Sequence, residues 1–166
     1  VTFLRGGSLR GNDLRSALLA ATSVVVASVA GQLASRSAVD GWYRTLAKPV
    51  FTPPNWVFPV AWTLLFTMMG VAFWRVLRRA SDTPWRRTAV VLFVAQLAFN
   101  AAWSGAFFGE HSPLFGLYVI APLWFLILGT LLVFNAMDRL AALLLVPYLA
   151  WVSFAAALNA VIWRMN

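Results

Sequence analysis

The chain contains no cysteine, a single histidine (His111), and charged side chains at only 11% of its 166 positions. Without cysteine there is no disulfide framework and no thiolate metal site. With one histidine, a multi-histidine metal site is excluded as well. Soluble domains typically carry about 25% charged residues, so this chain has too little polar surface to cover a water-soluble globule. Charge is also missing from the interior of the apolar runs, where only Arg75 falls, next to the end of the second. All five acids, Asp13, Asp40, Asp82, Glu110 and Asp138, fall at or beyond the ends of those runs. Ionisable groups within the bilayer mark proton relays and ion pathways. Their absence argues against an ion-coupled transporter, a charged channel filter and acid–base catalysis deep in the membrane. No internal repeat is apparent, and an odd number of spans does not fit a two-fold inverted repeat.

What is present is apolar and aromatic: 61% hydrophobic and 15% aromatic residues, with a mean hydropathy of +0.78. A membrane-crossing helix needs about 20 mostly apolar residues. Five runs meet this, at about 17–35, 57–76, 89–108, 114–134 and 140–163. The expected fold is an all-α integral membrane bundle of five helices, forming a single domain over residues 1–166. The first run follows Arg5, Arg10 and Arg15 and lacks a small-residue cleavage pattern, so it reads as a retained span rather than a signal peptide. Lysine and arginine number nine on the side of the N-terminal tail, second loop and fourth loop, against four on the other side. The positive-inside rule then places the N-terminus in the cytoplasm and the C-terminus outside, and the expected location is a bacterial cell membrane. The net charge of +8 belongs to these flanking loops, and no nucleic-acid partner is expected.

The first loop, from about Arg36 to Asn55, is far longer than the others and holds Trp42, Tyr43, Phe51, Pro49, Pro53 and Pro54. Disorder goes with few aromatics, and prolines reduce the entropy lost on ordering. The loop is expected to fold as a lid over one end of the bundle, with interfacial aromatic anchoring as the alternative. The fourth connection is very short, with Asp138 the expected N-cap of the last helix. In the second, Asp82 and Pro84 read as turn residues.

Three helices carry aromatic stripes at helical spacing: Trp62, Phe66, Met69 and Phe73; Gln96, Asn100, Trp103 and Phe107; and Tyr148, Trp151, Ala155 and Leu158, with Asn159 alongside. Such stripes fit ordinary helix packing with amides as interhelical glue. They also fit an aromatic-walled pocket for a large flat ligand. Small residues form two ladders, Ser23, Ala27 and Gly31, and Ala101, Gly105 and Gly109. Ladders of this kind let helices approach closely within a bundle or between protomers, and the second is the candidate homodimer seam.

The stretch WYRTLAKPVFTPPNWVFPVAWT (42–63) resembles the signature of the translocator protein family, also called tryptophan-rich sensory proteins (TspO). AQLAFNAAWSGAFFG (95–109) and VPYLAWVSFAAALNAVIW (146–163) agree with it, so the resemblance runs from about Gly41 onward. It implies a five-helix bundle, often dimeric, that binds porphyrin or haem as ligand rather than cofactor, and in animal members cholesterol and drug-like molecules. The function implied is a sensor, regulator or transporter of tetrapyrroles or other hydrophobic small molecules. Carried over by residue, the pocket uses Tyr43 and Pro53 from the loop, Trp62 and Phe66 from the second helix, and Asn100 and Trp103 from the third. Trp151, Ala155 and Leu158 come from the fifth.

The same resemblance carries an alternative, a light- and oxygen-dependent breakdown of protoporphyrin in which Trp62, Trp151 and Tyr43 take part in redox chemistry. The chain also departs from the family pattern. Val50 and Phe51 stand where a tryptophan is common, and Phe66 where a tyrosine is common. The run from Leu158 to Arg164 lacks the tyrosine of the C-terminal sterol pattern, which weakens the case for specific sterol binding and leaves open whether sterol binds.

Overall fold

The computed structural model describes residues 11–79 and 84–166. Arg5, Arg10 and Asp82 lie outside the described residues. Five long helices carry the chain: α1 (Gly11–Asp40), α3 (Val57–Arg79), α4 (Arg86–Ser104), α5 (Pro113–Met137) and α6 (Arg139–Met165), with α2 a single turn at Trp42–Thr45 between the first two. All five are long and apolar enough to cross a membrane. In hydrocarbon every backbone N–H and C=O must be satisfied within the segment, which leaves helices as the form these apolar runs can take.

The first helix runs five residues past its expected end, to Asp40. The polar residues there read as loop, but none of them breaks a helix, and the chain turns only at Gly41. At the far end of α4 the helix widens into a π turn at Gly105–Gly109, closed by the Glu110 N–H on the Gly105 carbonyl at 2.9 Å. Ser112 then caps α5 by accepting from the Phe115 N–H, with Pro113 at the first helical position, where its missing N–H costs nothing.

Around the bundle the helices follow the order α1, α3, α6, α5, α4, each packing on its neighbours, while α3 barely meets α4. The half of the bundle away from α2 is solid. Phe73 and Phe93 stack there with ring centres 4.0 Å apart, and Phe134 continues the stack at 5.9 Å. Ionic contacts tie the same end together. Asp138 caps α6 by accepting from the Leu140 and Ala141 N–H groups at 3.0 and 3.2 Å. Its carboxylate also meets the Arg75 Nη2 at 2.9 Å and the Arg79 Nε at 3.2 Å. Burial alone would raise the Asp138 pKa. The hydrogen bonds from Arg75 and the Ala141 N–H, and the charges of Arg75 and Arg79, outweigh it and hold the carboxyl below its ordinary value. Arg78 adds a contact to Asp13 of α1 at 2.9 Å and lies over the Trp74 ring.

Candidate functional site: an aromatic cavity under the first loop

At the opposite end the helices separate around a cavity of about 420 Å³, within the range of small-molecule pockets. Its walls are the stripes. From α3 come Phe58, Trp62 and Phe66; from α4, Asn100 and Trp103, and from the π turn beyond it Phe107 and Phe108; from α6, Trp151, Phe154, Ala155, Leu158 and Asn159. Eight of the nine residues expected at the site line this one cavity; the ninth, Pro53, does not. From the first loop the wall takes Tyr43 and Asn55 instead.

The rings pack mostly edge to face or tilted. Phe58 meets Trp151 at 6.0 Å, Trp62 meets Phe66 at 5.5 Å, and Trp151 meets Phe154 at 5.7 Å. Behind the rings, amides fix the wall. Asn100 Nδ2 donates to the Tyr148 hydroxyl at 2.9 Å, which leaves its Oδ1 for another partner. Trp103 Nε1 donates to Asn159 Oδ1 at 3.3 Å, while Asn159 Nδ2 donates to the Pro113 carbonyl at 2.7 Å. Among the described residues the lining carries no charged side chain. The surface is therefore suited to a flat apolar body held by ring contacts, with a few neutral donors and acceptors at its edges.

The lid is built as the loop's composition anticipates. The α2 turn directs Tyr43 inward, where it is 7% exposed and meets Phe107 and Phe108 with ring centres 6.1 and 5.6 Å apart. Burial pushes the Tyr43 hydroxyl above its ordinary pKa, so it serves as a neutral hydrogen-bonding group. Lys48 folds back to donate to the Tyr43 and Leu46 carbonyls at 2.6 and 3.0 Å.

Beyond Asn55, Phe58, Pro59, Thr63, Ser104, Phe154 and Ile162, which line the cavity beside the expected residues, two parts of the site escaped the sequence reading. The first is α1, which supplies Ser28, Gly31, Gln32, Ser35 and Val39. The signal was there: Ser28, Gln32 and Ser35 recur at i, i+4 and i+7, one polar face of an otherwise apolar span. Gly31 allows the close approach, since a Cβ there would come within 3.3 Å of Ser104 Oγ on α4. The second is Phe108. The π turn adds a residue to the helical repeat, and Phe107 and its neighbour both reach the cavity.

Other stripe members turn elsewhere. Met69 and Phe73 belong to the solid half of the core. Gln96, one turn before Asn100, is 1% exposed and finds no partner for either end of its amide among the described residues. A buried unpaired amide is costly. Gln96→Leu is therefore expected to raise stability by about 1 kcal/mol, read as a higher melting temperature in detergent with ligand titrations unchanged. A lower melting temperature would mean that the amide is in use.

Residues 19–164 match the TspO/MBR family. The chain belongs to that family. It is 46% identical to the tryptophan-rich protein TspO of Chlorobaculum tepidum, over 82% of this chain and 87% of that protein. Against the protein CrtK of Rhodobacter capsulatus it is 36% identical, over 91% and 94%. The human translocator protein is 35% identical over 75% of each chain. This TspO/MBR chain is thus an integral multi-pass membrane protein, and bacterial and animal proteins of that family align with most of its length.

Proposed function

We propose that this TspO/MBR protein binds a tetrapyrrole, porphyrin or haem, between its helices beneath the first loop, and acts as a sensor, regulator or transporter of such molecules. The observation that carries the reading is the convergence of the three aromatic stripes and the inward Tyr43 on one uncharged cavity. A macrocycle is flat, apolar and aromatic over its faces and polar at its rim, which is the complement of that wall. Trp62, Trp151 and the rings between them would take the faces; Asn100, Tyr43 and the α1 hydroxyls and amide would take the rim. Ala155, small between Trp151 and Leu158 on the cavity face of α6, leaves room for the ring. The same reading places the protein in a bacterial cell membrane with its N-terminus in the cytoplasm. It also makes the chain a homodimer through Ala101, Gly105 and Gly109, and a Cβ at either glycine would meet nothing within 4 Å.

The test is titration of the purified protein in detergent with protoporphyrin, followed by quenching of its nine tryptophans, beside empty micelles. Saturation near one ligand per chain is expected. Trp151→Ala should raise Kd about tenfold, the equivalent of about 1.4 kcal/mol of lost ring contact. A linear response equal to that of the micelles would overturn the tetrapyrrole reading. The placement of Trp62, Trp151 and Tyr43 around one cavity also favours a second reading, light- and oxygen-dependent breakdown of the bound porphyrin. It requires new absorbing products under light and air that vanish in Trp62→Phe or Trp151→Phe. Equal bleaching by protein and by a detergent blank would remove it.

A further inference from the structure

The cavity is fastened at its end and open at its side. Its residues divide by exposure. Those from α4 and α6, together with Tyr43, are buried or half-buried, whereas the exposed ones are Gln32, Asn55, Pro59 and Thr63. Gln32 lies on α1, Pro59 and Thr63 on the first turns of α3, and Asn55 just before it. The opening therefore lies between α1 and α3, in the half of the bundle nearest the lid.

The lid itself is clamped. The Ala47 N–H donates to Asn166 Oδ1 at 3.0 Å, and Asn166 Nδ2 donates back to the Ala47 carbonyl at 3.0 Å. The Trp42 ring sits 5.6 Å from Phe107 and 5.0 Å from His111. Raising the lid for a ligand would break all of these contacts together; passage between α1 and α3 breaks none of them.

The sides of the opening are polar although they belong to helices that span a membrane. Gln32 Nε2 donates to Ser28 Oγ at 3.0 Å. The Thr63 hydroxyl donates to the Pro59 carbonyl at 2.8 Å, which leaves its oxygen as an acceptor. Gln32 keeps its Oε1 and a second N–H. A glutamine exposed on an apolar span is costly unless it finds a partner. A ligand lodged in the cavity with its rim in the opening would supply one.

We infer that ligand exchange in this protein runs sideways between α1 and α3, directly with the bilayer, while the lid stays closed, and that Gln32 reads a hydrogen-bonding group on the ligand's rim. The ligand class is a flat apolar molecule that partitions into the membrane and carries a carboxyl or similar polar substituent at its edge. The inference rests on the cavity being the ligand site proposed above.

The experiment uses the full chain in lipid nanodiscs, with stopped-flow tryptophan quenching by protoporphyrin. Gln32→Phe and Thr63→Phe fill the opening from its two sides, at exposed positions that tolerate a ring. Each is expected to slow association about tenfold; Thr63→Phe slows dissociation with it, so that Kd moves little, whereas Gln32→Phe also loses the rim hydrogen bond, so that Kd rises about fivefold. Ala47→Cys with Asn166→Cys, in a chain that has no other cysteine, locks the lid when oxidised and frees it when reduced. Equal association rates in the two redox states are expected. Slower binding by the oxidised form, or rates untouched by both phenylalanines, overturns the lateral route while saturable binding leaves the tetrapyrrole reading standing. Absence of saturable binding by the unmodified protein overturns both.

The role of Gln32 has its own readout. Gln32→Leu keeps the size of the opening and should release protoporphyrin about fivefold faster, the equivalent of one ordinary hydrogen bond. Etioporphyrin, which has no carboxyl groups, should be released unchanged. Equal effects on the two porphyrins overturn the assignment of Gln32.

Discussion

Replacing Asp138 by alanine is expected to cost about 3 kcal/mol of stability, near the lower limit for breaking a buried ion pair. One small carboxylate serves three partners there: the N-terminus of α6, Arg75 and Arg79. It is 4% exposed, but the Arg79 side chain is 58% exposed, and solvent screening at that arm keeps the figure at the lower end. Asp138→Asn separates the parts. Asparagine caps a helix about as well as aspartate, so this variant should keep the cap and lose the ion pairs, and should melt above Asp138→Ala.

The pH dependence has a definite sign. The folded carboxyl titrates below its ordinary value, so its contribution is fully present above the unfolded pKa of about 4 and is lost as pH falls through the depressed folded value. Melting temperatures of the parent and Asp138→Asn should therefore converge in acid. Curves that stay parallel down to the lowest accessible pH would mean that the carboxylate contributes through the cap alone.

The consequence of that anchor is a division of labour along the membrane normal. Salt bridges to α1 and α6, with the Phe73–Phe93–Phe134 stack, make α3 rigid at one end. At the other end the same helix is held by side-chain packing and borders the opening on α1. Substitutions at the ionic end should change stability and leave porphyrin titrations unaltered; substitutions at the other end should alter the titrations.

Much of this was legible in the sequence because two periodicities are strong. Apolar runs of membrane length define the five spans. The recurrence of Trp62 with Phe66, Asn100 with Trp103, and Trp151 with Ala155 and Leu158 sets each wall on a helix face. Asp138 announced itself as a cap because it is the lone acid before an apolar run. What stayed hidden was whatever depends on three dimensions. Nothing local says that Ser28, Gln32 and Ser35 face a cavity rather than a neighbouring helix, since a hydroxyl in a span can satisfy itself on its own backbone, as Ser35 does on the Gly31 carbonyl at 2.9 Å. The π turn at Gly105–Gly109 changes the register that a 3.6-residue repeat assumes. Pro53 and Tyr43 sit in the same loop, yet the α2 turn carries only the tyrosine inward. Gln96 and Asn100 share a stripe, but the cavity ends between them.

The residue that best exposes this dependence lies on a helix that lines none of the cavity. Gly116 is on α5, and a Cβ there would stand 2.5 Å from Asn159 Oδ1 and 2.9 Å from the Phe107 ring. Both neighbours are wall residues, and the room they have to retreat into is the cavity itself. Asn159 is held by Trp103 and by the Pro113 carbonyl, and Phe107 is packed between Trp42, Tyr43, Trp103 and Phe108. Gly116→Val is therefore expected to cost about 3 kcal/mol, the upper part of the usual range for overpacking, and to weaken protoporphyrin binding although residue 116 would not touch the ligand. Gly116→Ala should show the same two effects in smaller measure. Asn159→Ala removes the nearer obstacle along with its own hydrogen bonds. In combination with Gly116→Ala it should cost less than the two single changes added together, as coupled neighbours do. Strict additivity, or a Gly116→Val protein that binds protoporphyrin like the parent, would mean that α5 packs the wall more loosely than these distances require. The geometry of the site would then rest on α1, α3, α4 and α6 alone.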